Sequence, residues 1–304
     1  MRHCRVTAYS YAKLSERDLG LLRIGGTGLG NLLLTWAEFA VGTGKYRLVP
    51  IAPTWPQFKF GPLARQESDK RFYSDLFIKA PGEISGIKKL KLLSTLPRIS
   101  ASEFANGSGA FANGREIVIE FDNAGALFEG ILADHQVVRS ELLRITRRRH
   151  QLGLSHDFGH SISVHVRLGD FRVESLETPI GWYAEAIAEI RKANGGDLPV
   201  FVFSDGEDAE LERILSIPGT KRLGFGSSIA DLWALSSANI LIASGGSTFS
   251  KWASYLGRMP AVYPPGTLYQ KLYPENPAAE TEWREAESFS PAFVAQLQRR
   301  LAAA

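Results

Sequence analysis

The stretch SISVHVRLGD, residues 161–170, joins an apolar run to a polar end, which is typical of a buried strand in an α/β sheet. Its β-branched residues predict a buried strand over 161–167. Side chains alternate along a strand, so His165 and Arg167 share one face. An Arg at the carboxyl end of a strand faces the crevice in which α/β sheets bind ligands, and its guanidinium suits a phosphate. The alternative is an ion pair between Arg167 and Asp170 that closes a turn.

Outward from this strand, helices and strands alternate through the second half of the chain. Helical spacing predicts helices over 181–194, 209–215, 229–237, 248–256 and 291–301. Apolar and β-branched runs predict strands over 199–203, 221–225, 240–243 and 261–263. Strands that alternate with helices of about ten residues form βαβ units, so we expect a parallel sheet with helices on both faces.

The first half of the chain is less regular. We predict strands over 21–24 and 116–121, helices over 32–41 and 134–149, and few periodic segments in the Pro-, Gly-, Lys- and Ser-rich region 53–115. The sequence GLSHDFGH, residues 153–160, interrupts the pattern and sets the domain boundary, which gives an N-terminal domain over 1–152 and a C-terminal domain over 153–304. Two facing α/β halves make a cleft, which is a favoured place for a ligand.

A glycine-rich loop, GGTGLGN at residues 25–31, lies between a predicted strand and a predicted helix. Gly28 and Gly30 let backbone N–H groups approach a ligand, and the helix N-terminus behind them favours an anion. The spacing matches neither the dinucleotide fingerprint nor a P-loop, which disfavours a dinucleotide-binding oxidoreductase. A tight strand-to-helix turn is the alternative.

Three further strand ends or helix starts carry polar side chains. Asp205 follows a strand, Asp231 begins a helix, and residues 244–248 (SGGST) connect a strand to a helix. Each alone is explained by a turn or a helix cap. Together with Arg167 they place a guanidinium, hydroxyl groups and glycine turns at neighbouring strand ends, which suits a diphosphate.

Composition excludes several classes of protein. The 304 residues are 44% hydrophobic and 22% charged, as is usual for a soluble globular protein. A net charge of +3 is too balanced for a dedicated nucleic-acid binder. The single cysteine and six scattered histidines predict no metal site. Without a targeting segment we expect a cytoplasmic protein. The basic runs 88–91 and 147–149 leave peripheral membrane contact open, with a solvated helix face as the alternative.

Four ordered blocks resemble those of bacterial α-1,2-fucosyltransferases, whose superfamily includes α-1,6- and protein O-fucosyltransferases. The blocks are GGTGLGN, HVRLGD, FVFSDGEDAEL and DLWALSSANILIASGGSTFSKWASYLG. The resemblance implies a GT-B fold of two Rossmann-like domains facing a cleft, with GDP-fucose bound mainly by the C-terminal one. It also implies inverting transfer to a sugar hydroxyl without a metal or another cofactor.

The resemblance also implies roles for individual residues. Arg167 would hold the diphosphate, Asp231 would read guanine, and Asp205 would lie near the sugar. The other nucleotide-binding residues implied by the blocks are Gly28, Gly30, Asn31, His165, Asp170, Ser247, Thr248 and Phe249.

The catalytic base is sought in the loop after HVRLGD, where the related α-1,6 enzymes carry a glutamate. Glu174 is the first choice, Glu177 the second and Asp205 the third. Four positions depart from the family pattern, namely Thr27, Leu32, Leu168 and Lys251.

The leading hypothesis is a GDP-fucose-dependent fucosyltransferase that acts on a glycan in bacterial surface polysaccharide synthesis. The alternative is a GDP-sugar-binding protein that is non-catalytic or uses a different donor. The sequence predicts neither the acceptor nor the oligomeric state.

Overall fold

The computed structural model describes residues 7–59, 72–107, 116–123, 125–169, 171 and 177–303. The chain divides into two compact units, an N-terminal unit over Met1–Arg147 and a C-terminal unit over Arg148–Ala304. Each unit contains a parallel β-sheet and helices.

The N-terminal unit has six described strands in two sheets. They are β1 (Ala8–Ala12), β2 (Arg23–Ile24), β3 (Val49–Ile51), β4 (Gln57–Phe58), β5 (Arg98–Ser100) and β6 (Ile117–Phe121). The larger sheet has the order β3-β1-β6-β5, and β2 pairs with β4. The helices are α1 (Leu29–Tyr46), α2 (Gly86–Thr95), α3 (Ala101–Ala105) and α4 (His135–Ile145), with a 3₁₀ helix over Glu129–Asp134.

The described residues of the C-terminal unit form six strands in one parallel sheet. They are β7 (Ile162–Val166), β8 (Val200–Ser204), β9 (Thr220–Arg222), β10 (Leu241–Ile242), β11 (Ala261–Tyr263) and β12 (Glu280–Glu282). The helices are α5 (Ile180–Asn194), α6 (Asp208–Leu215), α7 (Ser228–Ser236), α8 (Thr248–Gly257) and α9 (Pro291–Ala302). Short 3₁₀ helices cover Arg148–His150, Leu152–Ser155 and Pro277–Ala279.

The strand order of this sheet determines where a ligand can bind. The order is β12-β11-β10-β7-β8-β9, so the chain runs outward to one side from β7 and to the other side from β10. This is the Rossmann order, in which ligands bind beyond the carboxyl ends of the strands where the order reverses. The reversal lies between β7 and β10, and β7 is buried along its whole length.

The predicted α/β class with a parallel sheet is confirmed. The helix predicted over 134–149 ends at Ile145, because Thr146 is extended and bridges to Phe77. The strand predicted over 221–225 ends at Arg222, since the following loop turns toward α7. Helix α1 begins at Leu29 instead of residue 32, at the glycine loop itself.

Candidate functional site

Arg167 lies directly beyond β7 and forms an ion pair with the residue beyond β8. Its Nη1 is 2.6 Å from Oδ2 of Asp205, and both side chains are partly exposed. The other carboxylate oxygen of Asp205 accepts a 2.9 Å hydrogen bond from the backbone N–H of Leu168. Asp205 therefore fixes the Arg167 guanidinium at the carboxyl edge of the sheet. Asp170, the partner considered from the sequence, lies outside the described residues.

Ser244, the second residue after β10, connects β7 to β10 at the point where the strand order reverses. Its Oγ donates to the His165 carbonyl at 2.8 Å and accepts from the Arg167 backbone N–H at 2.7 Å. Tyr183 OH lies 2.7 Å from the same oxygen, and burial raises the pKa of Tyr183 to about 12. Tyr183 therefore stays protonated and donates to Ser244. A hydroxyl has one donor and two acceptor positions, so these three bonds use the full capacity of Ser244.

His165 is buried behind Arg167, with its ring 5.0 Å from the ring of Phe249. Its Nδ1 lies 2.7 Å from Oγ of Ser250, which also accepts the Ser244 backbone N–H. Burial lowers the pKa of His165 from 6.5 to about 4; the charge of Asp205 opposes this shift and that of Arg167 adds to it. His165 is therefore neutral near pH 7 and supports the strand ends instead of adding charge.

The buried histidine predicts an acid-sensitive C-terminal unit. Because the unfolded chain has the ordinary pKa of about 6.5, it takes up a proton on this residue before the folded protein does. The stabilising contribution of the neutral His165 is fully present above pH 6.5, and it is lost as the pH falls toward 4, the pKa in the folded protein. Between pH 7 and pH 5 we expect a loss of about 2 kcal/mol in the free energy of unfolding.

The pH effect is measured by urea unfolding of the wild type and of His165→Asn, which keeps a polar atom near Ser250. The variant is expected to lose less stability between the two pH values. Equal losses in both proteins would show that His165 does not cause the effect.

The N-terminus of α8 forms an anion cradle beside Arg167. Ser247 is its N-cap and accepts the backbone N–H of Ser250 at 3.4 Å, which leads the chain into the helix. A Cβ on Gly245 would lie 2.9 Å from Cγ2 of Thr267, so a larger residue here would displace that side chain. Gly246 has φ of +66°, which also favours glycine. Helix N-termini with their unpaired N–H groups favour anions such as phosphates.

Asp231 lies in the first turn of α7, which begins at the same edge of the sheet. Its Oδ1 accepts the backbone N–H of Phe225 at 2.6 Å, and the side chain is half-buried. The Phe225 ring stacks on Phe203 of β8, with 6.3 Å between the centroids. These contacts place the carboxylate on the β8–β9 side of Arg167.

A pocket of about 630 Å³ lies beside the anion cradle, at the ends of β10 and β11. Gly245 and Gly246 form its boundary with the cradle, and Trp182 contributes to its apolar wall. The polar side chains that line it are Glu177, Thr178, Thr267, Tyr269, Arg284 and Glu285. Glu177 is exposed and follows the part of the loop that contains Glu174, which lies outside the described residues.

Lys251, one of the departures from the family pattern, contacts Tyr269, which lines this pocket. Its side chain is almost fully buried, and its Nζ lies 4.0 Å from the ring centroid of Tyr269. Burial lowers the pKa of Lys251. Lys251 therefore orients an aromatic ring of the pocket wall through a cation–π contact.

The glycine loop of the N-terminal unit lies beside a separate cavity of about 750 Å³. Gly28 is the N-cap of α1 and Gly30 is buried inside that helix. Asn31 lines the cavity, together with charged side chains such as Lys13 and Asp122. The predicted contact of Gly28, Gly30 and Asn31 with a nucleotide stays a prediction.

The structure brings together several of the site residues that the sequence predicted, and it adds others. Arg167 and Asp205 are in direct contact, and His165, Phe249 and Ser247 surround the same strand ends. Thr248 is the first residue of α8. The supporting residues Tyr183 and Ser250 were missed, although both lie in the motif blocks or the helix between them. Tyr269, Arg284 and Glu285 follow no recognisable pattern. Among the described residues, no group of His, Cys, Asp and Glu side chains could hold a metal ion.

Comparisons with known proteins give a family and a fold. The profile of glycosyl transferase family 11 matches residues 128–284, which is more than half of the chain. The structure of NodZ alpha-1,6-fucosyltransferase soaked with GDP-fucose is 14% identical, with a TM-score of 0.53 over 86% of this chain and 96% of that chain. A mutant of Arabidopsis thaliana FUT1 in complex with GDP is 15% identical, with a TM-score of 0.51 over 86% of this chain and 72% of that chain.

A second structure of NodZ, from Bradyrhizobium, is 15% identical, with a TM-score of 0.50 over 84% of this chain and 94% of that chain. No curated protein sequence matches the chain significantly. The matches confirm the resemblance to the fucosyltransferase superfamily and the GT-B class of α/β fold. Within the described residues, no helix is long and apolar enough to cross a bilayer.

Proposed function

Because the chain belongs to glycosyl transferase family 11, we propose that it transfers fucose from GDP-fucose to a hydroxyl group of a glycan. One observation carries the proposal. Arg167 and the N-terminus of α8 converge where the strand order of a Rossmann sheet reverses. Two anion-binding elements at this place suit a diphosphate.

The donor extends along the carboxyl edge of the sheet in three parts. Guanine lies beside Asp231, because one carboxylate can accept both the N1–H and the N2–H₂ donors of this base. The diphosphate lies against Arg167 and the hydroxyl groups of Ser247 and Thr248. The fucose then lies in the 630 Å³ pocket beyond Gly245 and Gly246.

Arg167 and the α8 N-terminus supply the positive potential that the leaving GDP needs. Charge develops on the diphosphate as the C1–O bond breaks, and preorganised donors stabilise it in the transition state. Asp205 acts as a positioning residue, since both of its oxygens are engaged by the Arg167 guanidinium and the Leu168 N–H. With both oxygens engaged in these bonds, Asp205 is less available than a carboxylate of the sugar pocket to take the proton of the acceptor.

The acceptor hydroxyl attacks the fucose from the side opposite to GDP, so the configuration at C1 inverts. A carboxylate in the sugar pocket must take the proton of that hydroxyl. Glu177 is the described carboxylate of the loop after β7 that lines the pocket. Glu174, the first choice from the sequence, remains the competing candidate. The α-1,2 linkage and the role in bacterial surface polysaccharide synthesis rest on the motif resemblance.

A different donor or a binding role is favoured by one side chain. Leu168 is buried and packs closely on Gly206. A Cβ placed on that glycine would lie only 2.5 Å from Cδ1 of Leu168. The motif resemblance implies a second Arg at this position, so this chain would have one charge fewer near the diphosphate.

Release of GDP from GDP-fucose distinguishes a transferase from a binding protein. The wild type, treated with EDTA, is incubated with GDP-fucose and a mixture of glycans, and GDP and fucosylated product are measured. We expect both products, because Arg167 and the helix N-terminus stabilise the leaving group. Binding without any release of GDP would support the binding role, and activity that returns only with Mg²⁺ or Mn²⁺ would refute metal-free transfer.

A further inference from the structure

The N-terminal unit exposes three leucines in one tight turn, named here the leucine turn: Leu19, Leu21 and Leu22. Their exposed fractions are 62%, 58% and 41%. The Leu19 N–H donates to the Leu22 carbonyl at 3.0 Å, and the Gly20 N–H donates to Oδ1 of Asp18 at 2.8 Å. Gly20 has φ of +81°, which suits glycine at the tip of such a turn.

The leucine turn is held rigidly in this exposed position. The next residue, Arg23, is fully buried and donates to the carbonyl groups of Thr54, Leu14 and Trp55. Asp18, before the turn, accepts a hydrogen bond from Tyr11 OH. Because these hydrogen bonds anchor both ends of the turn, the three leucines are presented at the surface.

The apolar surface continues on both sides of the leucine turn. A Cβ on Gly20 would lie 2.7 Å from Cδ2 of Leu90, so the turn packs on α2. Ile87 of α2 is 86% exposed and lies one helical turn from Leu90. On the other side, Ile24 pairs with Phe58 across β2 and β4, and both are partly exposed.

Positive charges lie in the same chain segments as this apolar surface. Arg17 before the turn and Lys88 and Lys91 of α2 are exposed. The exposed Glu16 forms an ion pair with Lys13, 2.8 Å apart. The neighbouring Lys89 is buried and bonds to Ala52 and Thr54, so it serves the fold.

We propose that the leucine turn and α2 dock on the surface of an anionic lipid bilayer. Exposed leucine and isoleucine side chains enter the acyl boundary, and the flanking cations meet anionic headgroups. The sequence left peripheral membrane contact open at residues 88–91, and the leucine turn supplies the apolar component that this basic run lacks. Ile24 and Phe58 also line the 750 Å³ cavity beside the glycine loop, so docking brings that cavity to the bilayer.

The test is co-sedimentation of the full chain with phosphatidylcholine vesicles, with and without phosphatidylglycerol. The wild type is expected to bind the phosphatidylglycerol vesicles and to dissociate as salt is added. The double variant Leu21→Glu/Leu22→Glu is expected to lose at least about tenfold in affinity. Lys88→Ser and Lys91→Ser are each expected to cost about fivefold, and only at low salt.

Val137→Glu on α4 is the matched control, because Val137 is also exposed and lies in the same unit. It should bind vesicles as the wild type does. Circular dichroism and a GDP titration of each variant confirm that the chain is folded, independently of vesicle binding. Wild-type protein that stays in the supernatant, or equal binding by the double variant, would overturn the proposal. The proposal would also be overturned if the wild type formed a dimer in solution and the double variant alone did not.

Discussion

Replacing Arg167 with alanine is expected to lower kcat/KM for fucose transfer by about 100-fold or more. The reason is that the guanidinium is held at the carboxyl edge by Asp205 before the donor binds, so its charge needs no rearrangement in the transition state. Loss of one preorganised donor typically costs about 10²–10³ in rate. The measurement is steady-state transfer from GDP-fucose, with the melting temperature as a check of folding.

Arg213→Ala is the matched control for this experiment. Arg213 is also an arginine of the C-terminal unit, but it lies exposed on α6, 3.7 Å from Glu185. Its loss should leave kcat/KM within about twofold, because exposed ion pairs contribute little. A folded Arg167→Ala enzyme with unchanged kcat/KM would show that another group binds the diphosphate.

Replacing Glu177 with glutamine is expected to lower kcat by about 10²–10⁴, while the affinity for GDP stays nearly unchanged. The substitution keeps the shape of the side chain and removes its ability to accept a proton. GDP affinity should persist, because Asp231 and Arg167, which we propose to hold guanine and the diphosphate, do not line the pocket that contains Glu177. Transfer is measured in a single turnover, so that donor binding and chemistry are separated.

Three further variants distinguish Glu177 from its competitors. Glu285→Gln changes another carboxylate of the pocket, Glu174→Gln the first choice from the sequence, and Glu212→Gln an exposed residue of α6 that serves as the control. Normal transfer by Glu177→Gln, together with a large loss in Glu174→Gln or Glu285→Gln, would move the proton transfer to that residue.

The sequence predicted five of the six described strands of the C-terminal sheet, because those strands and the helices between them carry strong local patterns, but it missed β12. Strand β7 is apolar throughout most of its length, and α8 begins with a serine cap directly after glycine. The strands β1 and β3 were missed, because AYSYA and VPI are short and mix polar with apolar residues or contain proline. Helix α2 was missed because its apolar face is narrow and interrupted by Lys89, which the fold buries.

The contacts of the site were less predictable than its residues. The pair of Arg167 and Asp205 depends on the register of β7 and β8, in which Val166 lies opposite Ser204. No local pattern encodes that register between two strands so far apart in the chain. The sugar pocket likewise depends on loops after β11 and β12, where Tyr269 and Arg284 come together only in the folded chain.

A calorimetric titration of the full chain with GDP and with UDP tests directly whether the carboxyl edge of the C-terminal sheet is a GDP-sugar site. GDP is expected to bind at least about tenfold more tightly than UDP, since Asp231 accepts two donors that guanine offers and uracil does not. Asp231→Asn should reduce this preference while leaving UDP affinity unchanged. Equal affinity for GDP and UDP in the wild type, or an unchanged preference in Asp231→Asn, would contradict the assignment of this edge as a GDP-sugar site.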